Sequence, residues 1–384
     1  MAAVSAMKLV IAPDSFKESL SAAEVAAAIA RGWKSVYADA QLVLLPMADG
    51  GEGTLDVVLS ARPGRRMHSR VSNALGETVD AAWGLLEDGT ALLEMATASG
   101  LESIPRERRD ALQASSYGTG ELIRAALDAG AQRIILALGG SACTDAGAGM
   151  LQALGASLRN AHGSELSRGG AALQALAQID LATLDSRLQA VPLQVAVDVQ
   201  NSLCGAQGAA HVFGPQKGAS AEQVQILDAA LTHFAVLAAG KLGEDFSALA
   251  GAGAAGGVGF AAKAFLHAEF HSGVDLLAKL SGLEQALVGA DLLITGEGQL
   301  DAQSSQGKTP VGVARIARAA GVPVLALAGR LAAGYQRLYA EGIGAAFSLA
   351  CGPMTLEQSC ASAAAELEQR SADLARLWQM AQAA

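Results

Sequence analysis

Leu9-Val-Ile-Ala-Pro-Asp-Ser-Phe-Lys-Glu-Ser-Leu-Ser-Ala-Ala-Glu-Val25 holds, in one short stretch, the pattern that decides the fold. Leu9–Ala12 is apolar and partly β-branched, which reads as a strand. Asp14 to Ser19 is polar and too short for an element of its own. Ser21 with Glu24 three residues on forms a capping box, with Ala and Ile behind it, so a helix is expected over Leu20–Val36. Strand, polar loop and capped helix make a βα unit, the building block of a parallel sheet.

The unit recurs along the chain. Strands are expected at Leu42–Leu45, Ala91–Met95, Ile134–Leu138, Leu193–Val197, Leu292–Thr295 and Val324–Ala328. Helices are expected at Leu55–Leu59, Glu121–Asp128, Val224–Leu242, Val311–Ala319 and Leu356–Met380. No period of about 20–50 residues repeats, which excludes a solenoid. Between residues 62 and 80 Arg, Pro and Gly accumulate, and Leu75-Gly76-Glu77 and Glu87-Asp88-Gly89 look like hairpin turns. A second shift comes near 281–290, before a clean βα pattern resumes. These shifts predict an α/β domain built from both chain ends (1–68 and 283–384), with a second α/β domain (69–282) inserted between. A length of 384 residues agrees with that, at about 150 residues per domain.

Composition narrows the function. With 51% hydrophobic and 17% charged residues there is ample core and no sign of disorder. The balance of 27 basic against 37 acidic residues, net −10, leaves only the short Arg106–Arg109 run as a basic cluster, so no nucleic acid is expected as a partner. Cys143, Cys204, Cys351 and Cys360 lie far apart with no metal spacing, as suits reduced thiols in the cytoplasm. Met1 to Ala6 is short and uncharged for a signal peptide, and the Ala/Gly stretch 251–262 is too short and glycine-rich to span a bilayer, so no membrane association is expected.

The loops after the strands carry the chemistry. They are Asp14-Ser-Phe-Lys-Glu-Ser19, Asp49-Gly-Gly-Glu-Gly-Thr54, Gly139-Gly-Ser141 with Thr144-Asp-Ala-Gly147, Asp198 with Asn201, and Gly296-Glu-Gly-Gln-Leu-Asp301. In open α/β sheets ligands bind outside the carboxyl ends of the strands, where these loops fall. Glycines admit phosphate to backbone N–H groups. Asp49, Asp198 and Asp301 could bind Mg²⁺ or align a hydroxyl, and Lys17, Lys217 and Lys308 could balance an anion. The set points to phosphoryl transfer. Gly251-Ala-Gly-Ala-Ala-Gly256 matches the dinucleotide fingerprint but lacks a clear strand before it. Gly307-Lys-Thr309 resembles the end of a phosphate loop whose first glycine is replaced by Ala302. His211, His267 and His271 have no metal-ligand spacing, and Ser141 lacks the hydrolase elbow.

Seven blocks together resemble the bacterial glycerate kinases of the first type. They are Asp14-Ser-Phe-Lys-Glu-Ser-Leu-Ser-Ala22, Ala48-Asp-Gly-Gly-Glu-Gly-Thr54, Glu94-Met-Ala-Thr-Ala-Ser-Gly-Leu101, Tyr117-Gly-Thr-Gly-Glu-Leu122, Phe213-Gly-Pro-Gln-Lys-Gly-Ala219, Ala254-Ala-Gly-Gly257, and Ile294-Thr-Gly-Glu-Gly298 with Gly307-Lys-Thr-Pro310. The resemblance covers essentially the whole chain. It implies a two-domain glycerate kinase fold, a discontinuous Rossmann-like parallel-sheet domain plus an inserted second α/β domain, with the site between them. It also implies ATP and Mg²⁺, and phosphorylation of D-glycerate at its 2-hydroxyl. The chain departs from the family pattern at Cys143, Thr144 and Ala146, at Gln299 where an Arg is usual, and at Ser202 in place of Pro.

On this reading Lys17, Asp49 and Asp198 are the catalytic candidates, with Asp49 and Asp198 also the metal candidates. Ser15, Gly50, Gly51, Glu52, Gly139, Gly140, Ser141, Lys217, Glu297, Asp301 and Lys308 are expected to bind substrate or phosphate. Which carboxylate is base and which binds metal stays open, as does a homo-oligomeric state. Two other readings stand beside it: an NAD-dependent 2-hydroxy-acid dehydrogenase resting on Gly251–Gly256, and a non-catalytic sensor of small acids.

Overall fold

The computed structural model describes residues 7–51, 53–302, 304 and 308–382. Its strands are, in chain order, β1 (Lys8–Ile11), β2 (Gln41–Leu44), β3 (Gly64–Ser72), β4 (Thr78–Leu86), β5 (Thr90–Glu94), β6 (Arg133–Ala137), β7 (Ser157–Asn160), β8 (Leu176–Asp180), β9 (Leu193–Ala196), β10 (Glu269–His271), β11 (Leu292–Leu300), β12 (Val324–Leu331) and β13 (Ala345–Ser348). The chain divides into two compact units. One comprises Met1–Asp49, Asp56–Arg62 and Val274–Ala384; the other comprises Gly50–Leu55 and Pro63–Gly273.

The first unit is a parallel sheet in the order β13-β12-β11-β1-β2. Its strands are paired in register from Leu9 opposite Leu292 to Leu325 opposite Ala345. Counted within the unit this is the doubly wound order 2-1-3-4-5, whose direction of winding reverses between β1 and β11. Apolar residues of β1 and β11 (Leu9, Ile11, Leu292, Ile294) are fully buried because helices cover the sheet. The helix Ala22–Lys34 starts at the expected capping box: Ser21 accepts from Glu24 N, and the Glu24 carboxylate accepts from Ser21 N at 2.8 Å. It buries Val25, Ile29 and Trp33 against the sheet and the long helix Leu356–Gln382.

The second unit is a mixed sheet in the order β10-β9-β6-β5-β4-β3. β10, β9, β6 and β5 are parallel, whereas β3, β4 and β5 form an antiparallel meander. The two turns of that meander fall at the hairpin signals, with Gly76 and Gly89 at φ +86° and +78°. A separate hairpin, β7-β8, lies in the same unit.

Candidate functional site

The reversal of winding in the first unit gathers its charged loops. After β1 the chain stays alongside β11: Ala12 N donates to Ile294 O and Asp14 N to Gly296 O, each at 2.8 Å. Asp14 thus sits at the carboxyl edge, half-buried. Its Oδ1 accepts from Ser15 N at 2.6 Å, and its Oδ2 from Thr309 Oγ1 at 2.7 Å. Burial first, and the nearby Asp49 charge second, push its carboxyl up to about 6, against the pull of Thr309, Ser15 and Lys17. The next residues close a tight loop in which Phe16 and Leu20 exchange both backbone hydrogen bonds. Glu18 takes φ +64° to do so, a conformation that costs a non-glycine residue roughly 1 kcal/mol or more. The loop leaves Lys17 exposed at the rim.

Asp14, Ser15, Lys17, Asp49, Glu297 and Lys308 line one cavity of about 780 Å³, whose apolar lining includes Leu331, Leu349, Pro353 and Met354. Burial raises the Glu297 carboxyl, opposed by Ser304 Oγ, which donates to it at 2.6 Å, and by Lys308, 3.5 Å away. Lys308 immediately precedes the helix Thr309–Ala319, whose first turn places positive potential at this end. Asp301 is not in the lining. Its carboxylate accepts from Ser304 N and from the side chain of Gln299, so it fastens the loop. The segment Gly296–Leu300, expected as a loop, continues β11 and pairs with β12, which runs alongside as far as Leu331.

The remaining candidates belong to the second unit, except Glu52, which lies outside the described residues. Gly139 packs against Gly50 and Gly51 so closely that a Cβ on Gly139 would come within 2.5 Å of Gly51 Cα. Gly139 N donates to Gly50 O at 3.4 Å. Asp198, exposed after β9, accepts from Gly273 N at 2.9 Å and lies beside Gly50. Ser141 is 9% exposed, and Lys217 only 2%. The Lys217 ammonium donates to Ser141 Oγ at 3.0 Å and to Cys143 O at 2.6 Å. Lys217, expected among the ligand contacts, is therefore turned into the protein. Asp145, fully buried, accepts from Ser115 Oγ, Ser116 N and Oγ, Gly147 N and Gly149 N. Thr144 Oγ1, at a departure from the family pattern, is buried with no hydrogen-bond partner among the described residues.

Sequence reasoning did not single out Asp14, Thr309, Glu94 or Asp145. Asp14 could have been found by the rule that selected Asp49, since it stands just past a strand. Glu94 ends β5 and accepts from Leu55 N at 2.6 Å, pinning the start of the helix Thr54–Ala61. Among the described residues no group of three or more His, Cys, Asp or Glu side chains gathers around a metal-sized space. Mg²⁺ is usually held by one or two carboxylates plus phosphate and water, so the Asp14–Asp49 pair, whose mutual repulsion a cation would relieve, fits it.

The dinucleotide reading fails on geometry. Residues 244–250 form no strand. Ala255, Gly256 and Gly257 take left-handed angles, and a Cβ on Gly256 would lie 2.1 Å from Cys143 O. The glycines there serve close packing on the 143–146 loop, not a pyrophosphate.

Comparison with known proteins points one way. The sequence model of the glycerate kinase family matches residues 9–379. The chain is 49% identical over 370 residues to the glycerate kinase of Bacillus subtilis (strain 168), covering 96% of this chain and 97% of that one. It is 48% identical over 354 residues to the glycerate 2-kinase of Escherichia coli (strain K12), covering 92% and 93%. A crystal structure from Salmonella typhimurium LT2, provisionally assigned as a glycerate kinase 2, matches with a TM-score of 0.89 and 48% identity, over 99% of this chain and 100% of that one.

Proposed function

This chain belongs to the glycerate kinase family and is a phosphotransferase, and we propose that it moves the γ-phosphoryl group of ATP to the 2-hydroxyl of D-glycerate. The products are 2-phosphoglycerate and ADP. The observation that carries this reading beyond family membership is the switch-point cavity. There Asp14, its carboxyl pushed up to about 6, and Asp49 meet the exposed Lys17 and the start of a helix. Phosphoryl transfer needs little covalent chemistry from protein; it needs reactants held in line and charge neutralised.

Within the first unit Lys17 is the cation for the transferring phosphoryl group, with Lys308 and the helix start behind it. Asp14 and Asp49 would hold Mg²⁺, which when bound draws charge from the phosphate oxygens. Ser15 and Glu297 complete this lining as phosphate or substrate contacts. In the second unit Asp198, Gly50, Gly51, Gly139, Gly140 and Ser141 keep the expected roles: the carboxylate aligns the hydroxyl or takes metal, and the glycine amides and the Ser141 hydroxyl receive anionic oxygens. The cytoplasm supplies ATP and the reducing poise that suits four free cysteines.

Coupling to enolase without phosphoglycerate mutase tests the reading. Signal from ATP, D-glycerate and protein alone is expected. Signal that waits for the mutase would move the phosphate to the 3-hydroxyl, and no glycerate-dependent ADP at all would remove the function.

A further inference from the structure

We propose that Lys217 is a positioning residue that fixes Ser141 as a hydrogen-bond donor to an anionic oxygen of the substrate. The inference rests on the kinase reading above and goes a step past it. A lysine 2% exposed cannot meet a ligand without rearrangement, and among the described residues no carboxylate hydrogen-bonds its ammonium. An ammonium has three N–H donors and no acceptor. When it donates to Ser141 Oγ at 3.0 Å it occupies a lone pair of that oxygen, so the hydroxyl hydrogen must point elsewhere. Among the described residues no acceptor receives that hydrogen. Ser141 follows Gly139 and Gly140, two glycines at the end of β6, where an anion can approach the backbone. The hydroxyl is thereby preset as a donor, with a positive charge behind it strengthening the bond.

The second contact of Lys217, to Cys143 O at 2.6 Å, ties the same loop two residues on. Asp145 anchors the loop further along through its own hydrogen bonds. The ionisable groups facing the ammonium are Cys143, whose thiol burial pushes up, and Asp145. Arg109 and His211, on neighbouring segments, are engaged by Gln216 O at 3.1 Å and by Asp228 at 3.8 Å. Burial lowers the Lys217 ammonium from the ordinary lysine range. Once its proton passes to water, the free lone pair can accept from Ser141 Oγ–H, and the hydroxyl turns away from the substrate. Loss of the donor therefore follows loss of the proton.

The test is a double-mutant cycle with pH profiles on the full-length protein, using D-glycerate and ATP. Ser141→Ala and Lys217→Met should each lower kcat/KM for glycerate by about 10- to 100-fold, the range of one hydrogen bond to a charged group. The double variant should lose no more than the larger single one, and Lys217→Arg should recover part of the activity. Losses that multiply would show that Lys217 does not act through Ser141. The wild-type profile should also bend downward at alkaline pH, below the ordinary lysine value, and Ser141→Ala should lack that bend. This arm stands even if Lys217→Met fails to fold, and the same bend in both proteins would overturn the inference. Wild type without glycerate-dependent turnover would sink the kinase reading and this inference with it; an active wild type with multiplying losses would sink this inference alone.

Discussion

The cavity of the first unit and the loop 139–149 of the second handle buried charge in opposite ways. In the cavity, Asp14 faces the repulsion of Asp49, and its three hydrogen bonds, two from Ser15 and one from Thr309, do not offset its burial. In the loop, Asp145 is buried even more completely, yet donors surround it and Lys217 lies near. A carboxylate with its full set of donors rigidifies its surroundings, whereas one left short of them favours whatever cation arrives. The second arrangement is framework and the first is a place for ligand. Substitutions should separate them, the framework answering in stability and the cavity in turnover.

The largest effect should come from the framework. Asp145→Ala strips several buried donors of their acceptor and should cost about 3–5 kcal/mol, seen as a drop in Tm of many degrees. A Tm within a few degrees of wild type would mean that water or a shifted hydroxyl replaces the carboxylate, and the contrast would fail. Next comes Lys17, an exposed residue at the cavity rim. Lys17→Met should lower kcat/KM at least 100-fold, about 2.7 kcal/mol of transition-state stabilisation, with Tm near wild type. Turnover within a few-fold of wild type would remove Lys17 from the site.

A smaller effect, and one with a pH signature, belongs to Asp14. Its folded value of about 6 lies above the ordinary 3.8, so the folded state binds this proton more tightly than the unfolded chain. The contribution of Asp14 to stability therefore falls as pH rises from about 4 to 6, and the full penalty stands above that window. Asp14→Asn carries no such charge. It should gain about 1–2 kcal/mol at pH 8 and little at pH 4, while losing most activity. A gain that does not depend on pH would show that Asp14 is not titrating in that range.

Much of this contrast was legible in the residues. The capping box, the hairpin glycines and the starts of the seven expected strands were found within a residue, because each is a local signal. β11 and β12 run on past their expected ends to Leu300 and Leu331, and β3, β4, β7, β8, β10 and β13 were not expected. The helix Tyr117–Asp128 was expected only from Glu121 onward. Gly118 and Gly120 argue against helix locally. Both are required by packing, since a Cβ on them would meet Ser72 O at 1.8 Å and Met150 O at 2.4 Å. Likewise, the loop rule that selected Asp49 and Glu297 could not tell that Lys217 points inward. A lysine after Phe213-Gly-Pro-Gln looks like a surface turn residue until the loop holding Ser141 and Cys143 is laid over it. Burial of a charge is a tertiary fact, and no periodicity announces it.

The smallest expected effect refines the cavity side of the comparison. Glu18 holds φ +64° so that Phe16 and Leu20 can exchange hydrogen bonds and present Lys17. Glycine adopts that angle without a steric penalty, which favours Glu18→Gly by roughly 1 kcal/mol. The same glycine gives the unfolded chain more freedom, which takes back about 0.4–1 kcal/mol. The net change in Tm should be upward and no more than a few degrees. If the turn serves only to connect β1 to its helix, kinetics should not move. If it holds Lys17 in place for phosphate, a softer turn should raise KM by a few-fold while leaving kcat nearly unchanged, because the lysine still reaches the phosphoryl group once bound. Steady-state kinetics beside a melting curve separate the two. A higher Tm with unaltered KM would leave Lys17 positioned by something other than the strained turn.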